Sequence, residues 1–252
     1  FLSTVSIFAV FPIPYLSQEI LKMVRLSLLV MLVVGLGAWS ADPVPKTKDK
    51  DDTWVDLFNG KDFTGWVIDG PKEYKDKTDG KMKPLWEVKD GLIHTSGKGF
   101  GFLRYDKEYS DFRLSVEYRM DKEKDVNSGI GIRTMVFDPK KSTDTRPSFY
   151  SYEVQLLDDG EKAPNAHGTA SLYRYVAPKK MAQKPAPEWN TIEIECIGPK
   201  IKIIMNGEEV LDFDQDTKEE LKKKPLKGYV CLQSHSAGVD FRKVRIKDLT
   251  KK

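Results

Sequence analysis

Cysteine and histidine are scarce: the 252 residues include two Cys and three His. Two cysteines exclude a disulfide-scaffolded mini-protein and any four-thiolate metal site. His94, His167 and His235 are scattered, with no metal spacing of the His-Glu-x-x-His or Cys/His kind. Charge of one sign is lacking as well. The 41 Lys+Arg face 38 Asp+Glu, a net of +3, without the clustered basic excess of a nucleic-acid binder. The chain has no Gly-x-Ser-x-Gly elbow, no P-loop and no Gly-x-Gly-x-x-Gly, so the usual marks of an α/β-hydrolase or a nucleotide binder are missing.

Long apolar runs are limited to residues 26–38, LSLLVMLVVGLGA. That is too short to span a bilayer, which takes about 20 apolar residues. Arg25 precedes it, and Ala38 and Ser40 are small residues at signal-peptidase spacing, so the run reads as a secretory signal cut near Ser40–Ala41. Met23 is the expected start, with 1–22 as an upstream extension. Residues 41–53, charged and proline-containing, read as a flexible linker. The expected product is secreted or periplasmic, with no stable membrane span, and far from cytosolic nucleotide cofactors.

What the rest of the chain has is alternation. Hydrophobic residues make up 40% and charged residues 31%, enough apolar matter for a core. DFRLSVEYRM (111–120), SGIGIRTMV (128–136), YEVQLL (152–157), NTIEIEC (190–196), GYVCLQSH (228–235) and VDFRKVRIKDL (239–249) all run at period two. KIKIIMNGEEVLDF (200–213) is a hairpin turning at Asn206-Gly207. One short helix is expected over TKEELKK (217–223), where Thr217 and Glu220 have capping-box spacing. Residues 69–84, 138–148, 158–169 and 177–188 read as loops. The pattern predicts a single all-β domain over 54–252, a two-sheet antiparallel jelly-roll sandwich.

Alternation also sorts side chains by face. Ile130, Ile132, Val154 and Leu232 belong to a core face. The opposite face then collects Asn127, Arg133, Glu153, Gln155, Gln233 and His235, with Gly129 and Gly131 leaving room for a ligand. Taken singly, each polar residue is ordinary on a solvated sheet. The amides set this face apart, since Lys and Glu cover the other outward faces, and amides suit sugar hydroxyls. His94 and His167 read as exposed histidines. Cys196 lies on an apolar face and Cys231 on the polar one, so the two should remain unpaired.

In this order, LFNGKDFTGW (57–66), WEVKDGLI (86–93), DFRLSVEYR (111–119), NSGIGIR (127–133), YEVQLLDD (152–159), EWNTIEIECIGPKIKIIMNGEEVLDF (188–213) and GYVCLQSHSAGVDFRKVRIKDL (228–249) resemble the 3-keto-disaccharide hydrolase, or 3-keto-glucoside lyase/hydratase, family. The resemblance covers nearly all of 54–249. It implies a concanavalin A-like jelly roll and a 3-keto-glycoside or 3-keto-disaccharide substrate. It also implies cleavage by elimination at C1 followed by hydration. Two departures from the family pattern are Ser234, where an acid is common, and Lys243, where Asn is usual. Loop 69–84 is long and lysine-rich. In this chemistry His235 or Glu153 serves as base, and Arg133 and Gln155 hold the oxyanion. Asn127 and Gln233 bind substrate. No cofactor is expected, although Glu153 and His235 leave a divalent metal open. The alternative is a non-catalytic, lectin-like sugar-binding module on the same fold.

Overall fold

In the computed structural model, which describes residues 53–122, 126–159 and 162–250, the alternating segments become strands. The opening strands are β1 (Val55–Asp56), β2 (Trp66–Asp69), β3 (Glu73–Lys75), β4 (Met82–Pro84), β5 (Trp86–Lys89) and β6 (Leu92–Thr95). They are followed by β7 (Gly101–Tyr105), β8 (Phe112–Met120), β9 (Asn127–Thr134) and β10 (Tyr152–Leu157). The last five are β11 (Asn190–Ile197), β12 (Lys200–Met205), β13 (Glu208–Asp214), β14 (Tyr229–Ser234) and β15 (Val239–Asp248). The expected leader over 1–40, with Met23, and the linker up to residue 52 lie outside the described residues. No helix among the described residues is long and apolar enough to cross a membrane.

Two antiparallel sheets enclose the core. The eight-stranded sheet runs β13-β12-β11-β8-β15-β6-β5, with β1 paired to β15. The five-stranded sheet runs β10-β9-β14-β7-β2, and β3 with β4 makes a separate hairpin. The large sheet obeys the period-two pattern. On β11, Ile192, Ile194 and Cys196 are buried while Thr191, Glu193 and Glu195 are partly exposed. These inward residues pack with Ile130, Ile132, Val154, Leu156 and Leu232 of the smaller sheet. Each such burial is worth roughly 1.5–3 kcal/mol. The Asn206-Gly207 turn joins β12 to β13 with both residues at positive φ, as a tight hairpin turn requires.

The expected helix over 217–223 does not form. Asp214 caps a single 3-10 turn, Gln215–Thr217, and successive i to i+3 turns follow, Lys218 O to Leu221 N and Leu221 O to Lys224 N. Leu221 is the only fully buried apolar side chain in that stretch. With no stripe to bury, so short a helix has nothing to offset its nucleation cost. Helical residues instead occupy the break before β10, as α1 (Ser142–Thr145) and α2 (Pro147–Tyr150). Cys196 and Cys231 are both buried and free.

Candidate functional site

The five-stranded sheet differs from its partner in burying both faces. In β9 every residue after Asn127 is buried, and β10 buries Tyr152 to Leu156 without a break. Its outer face is polar, so polar groups are buried there. Asn127, Glu153, Gln155, Gln233 and His235 line one small cleft of about 40 Å³, together with Phe100, Arg146, Ser148 and Tyr173. Segment 170–173 closes the edge of β10. Ala170 N donates to Gln155 O at 2.8 Å, Gln155 N to Ser171 O at 3.1 Å, and Tyr173 N to Glu153 O at 2.8 Å. These bonds hold Tyr173 at the cleft.

The two glycines of β9 make room for protein rather than ligand. A Cβ at Gly129 would sit 3.0 Å from Glu153 Oε1, and one at Gly131 would sit 2.5 Å from Cys231 Sγ. Side chains from the flanking strands therefore lie across β9, which brings Glu153 of β10 towards Gln233 of β14.

Arg133 is not in the cleft. Residues Gly131 and Thr134 pair with Cys231 and Tyr229, so Ile132 and Arg133 together oppose Val230 alone. This bulge inserts one residue and reverses the parity beyond it. Arg133 takes φ 52° and is 0% exposed. Its Nε and Nη2 donate to Ser110 O at 3.0 and 2.8 Å, and Nη1 to Gly198 O at 2.7 Å. It ties two turns together and cannot hold an oxyanion.

A different arginine occupies that place. Arg146 leads into α2, its guanidinium 4.4 Å above the Phe100 ring and its Nη2 donating to Ser142 Oγ at 2.8 Å. Its Nε is buried with no acceptor among the described residues. The side-chain oxygens of Asn127, Gln155 and Gln233 are likewise buried, with no donor among the described residues. Buried polar groups are normally satisfied, so one orphan donor and three orphan acceptors in a single cleft fit a polar ligand.

Burial raises the Glu153 carboxyl to about 7, against the hydrogen bonds from Gln233 and Ser148 and the charges of Arg146 and Arg174. His235 is exposed at the cleft rim and moves the other way: partial desolvation of its ring and then the Arg146 charge lower it below the ordinary histidine value. At neutral pH a protonated or half-protonated carboxyl thus faces a neutral imidazole, an acid and a base displaced in opposite senses.

The remaining histidines lie elsewhere. His167 is exposed, edge-on to Tyr173. His94 is partly buried and bound, its Nδ1 2.7 Å from Asp240 Oδ1. Ser234 faces the opposite way from Gln233, accepting from Thr95 Oγ1 at 2.7 Å and donating to Gly99 O at 2.8 Å. Among the described residues no group of three His, Cys, Asp or Glu side chains gathers into a metal site, and Glu153 and His235 remain a pair. Phe100, Arg146, Ser148 and Tyr173 were absent from the expected set because they sit on loops or in a one-turn helix, where no periodicity assigns a face.

Comparison with known proteins identifies the family and agrees with the fold. Residues 53–247 match the model of the 3-keto-alpha-glucoside-1,2-lyase-like domain. A 3-keto-disaccharide hydrolase from Bacteroides thetaiotaomicron is 26% identical over 239 residues, covering 79% of each chain. A protein from Parabacteroides distasonis, described as a glycosyl hydrolase, superposes with a TM-score of 0.63 at 25% identity, over 82% of this chain and 98% of that one. The exoplasmic/lumenal domain of VIP36 shares the fold alone, with a TM-score of 0.51 at 8% identity over 79% of this chain and 88% of that one.

Proposed function

The chain belongs to the family of 3-keto-alpha-glucoside-1,2-lyase-like domains, and from that premise we propose that it is an exported enzyme cleaving 3-keto-glycosides, 3-keto-disaccharides among them, by elimination and hydration. The signal-like run at 26–38 supports export. The observation that carries the chemistry is the single carboxyl. Among the described residues Glu153 is the one acidic residue lining the cleft. Ordinary glycoside hydrolysis uses two, about 5–9.5 Å apart.

A 3-keto sugar needs only one. The C3 carbonyl acidifies the C2 proton, which neutral His235 accepts. The electron pair moves into a C2–C3 enolate with its charge on the C3 oxygen. Arg146 Nε donates to that oxygen, an oxyanion contact that strengthens as charge develops. Collapse of the enolate restores the C3 carbonyl, forms a C1–C2 double bond and breaks the C1–O bond. Glu153, in its acid form, gives its proton to the departing oxygen. Water then adds to C1 and loses a proton to the Glu153 carboxylate, while protonated His235 returns a proton to C2. 3-Keto-glycoside and water become 3-keto sugar and alcohol, with both residues restored. The free amide oxygens of Asn127, Gln155 and Gln233 suit the hydroxyls of the ring.

The test is to offer purified protein a 3-keto-disaccharide and its unoxidised parent. Release from the keto form alone is expected, and Glu153→Gln or His235→Ala should slow it on the order of 100-fold. Cleavage of both sugars at similar rates would contradict the mechanism. Binding without release would favour a sugar-binding module.

A further inference from the structure

A second cavity opens beside the cleft, and His235 lines both. Its other walls are residues 74–78, from the β3–β4 hairpin, and the 97–99 turn. Its volume of about 500 Å³ lies inside the range of ligand clefts, roughly 300–1,000 Å³. A sugar whose reacting C1–C2 edge sits at His235 therefore has somewhere to send the rest of its substrate.

The chemistry of this groove is lopsided. Lys75 and Lys77, on the hairpin, line it against one acid, Asp76. That acid is already engaged: Lys83 Nζ donates to it at 2.5 Å and Thr78 N at 2.7 Å. These bonds hold its carboxyl near 2, so it stays ionised and matched by Lys83. Lys83 also reaches Asp79, at 3.3 Å, and is not part of the groove lining. Among the described residues Lys75 and Lys77 have no ion-pair partner. The half-buried Tyr74 supplies an aromatic wall between these charges. The hairpin thus offers unmatched positive charge at the point where the leaving group must pass.

We infer that this groove is the leaving-group subsite and that it selects an anionic, carboxylate-bearing leaving group such as a uronic acid. The inference rests on the cleft being the reacting site. An ion pair at such an exposed position gives a several-fold preference, about tenfold for two lysines at low salt. It fades as the screening length falls below about 10 Å.

The experiment uses two disaccharides, glucosyl-glucuronate and glucosyl-glucose. Calorimetry on the full chain measures binding of the unoxidised forms at low and high salt, and kinetics measures KM for the 3-keto forms. The uronate should bind about tenfold tighter at low salt and lose most of that advantage at high salt. Lys75→Gln with Lys77→Gln should remove the preference, whereas Lys222→Gln, outside the groove, should keep it. Equal affinity and equal KM for the two sugars would overturn the subsite, as would a preference that survives the double substitution. A lysine-dependent binding preference without turnover of either keto form would uphold the groove and overturn the catalytic reading. Turnover of both keto forms without charge preference would do the reverse.

Discussion

Replacing Arg133 by Ala separates architecture from chemistry. The guanidinium is fully buried and satisfies the carbonyls of Ser110 and Gly198 through three short donations. Asp111 lies 3.5 Å away and is only partly exposed, so the substitution also removes its buried counter-charge. Truncating one partner of such a buried network costs roughly 3–5 kcal/mol. Relief of the left-handed backbone does not offset this, because Ala tolerates φ 52° no better than Arg does. At about 2–4 °C per kcal/mol for a domain of this size, the melting temperature should fall on the order of 10 °C. The assay is thermal and urea denaturation followed by circular dichroism, with turnover expressed per folded molecule. The folded fraction should keep nearly normal kcat, and Arg146→Ala should do the opposite, sparing the melt and lowering kcat. A normal melting temperature with lost turnover in the Arg133 variant would refute the placement and return that residue to the site.

The pH profile of kcat/KM should be bell-shaped, rising below the ordinary histidine value as His235 deprotonates and falling near 7 as Glu153 ionises; a flat profile from about pH 5 to 9 would contradict the assigned roles. Turnover should survive a chelator, since among the described residues Glu153 and His235 have no third ligand; its loss, restored by a divalent ion, would place a metal between them. His94 is raised by its hydrogen bond to Asp240, so its stabilising contribution is full below about 6.5 and is lost as pH rises through the raised folded value. His94→Gln should therefore lower the melting temperature by about 1–3 °C at pH 5.5 and hardly at all at pH 9. Lys243 holds φ 46° on an exposed bulge of β15, a conformation that suits Asn better than Lys. Lys243→Asn should leave stability unchanged or raise it by a few tenths of a kcal/mol despite losing the exposed pair with Glu117, and a clear drop would show that the pair matters more.

The framework was legible because its physics is local. Period-two burial on β8 and β11 follows directly from Leu114, Val116, Ile192 and Ile194. The same parity placed Glu153, Gln155 and Gln233 on one face, and the structure brings them together with Asn127 and His235. Parity failed at Arg133, because a bulge is a property of two paired strands and neither strand alone records it. It was silent on Arg146 and Tyr173, whose positions are set by loop closure over β10. The helix expected over 217–223 rested on a capping pair without an apolar stripe, and local capping alone does not hold so short a helix.

The central claim is that cleavage proceeds by loss of the C2 proton, and isotope incorporation reads it directly. The reaction is run in deuterium oxide with a 3-keto-disaccharide, quenched early, and the C2 position of the released keto sugar is followed by NMR against an enzyme-free control. Elimination followed by hydration predicts deuterium at C2 of the enzyme-derived product, because exposed His235 exchanges the proton it removes with solvent before it returns one, and the rate of incorporation should fall alongside turnover in Glu153→Gln and His235→Ala. Release of the keto sugar with protium retained at C2 would contradict the account.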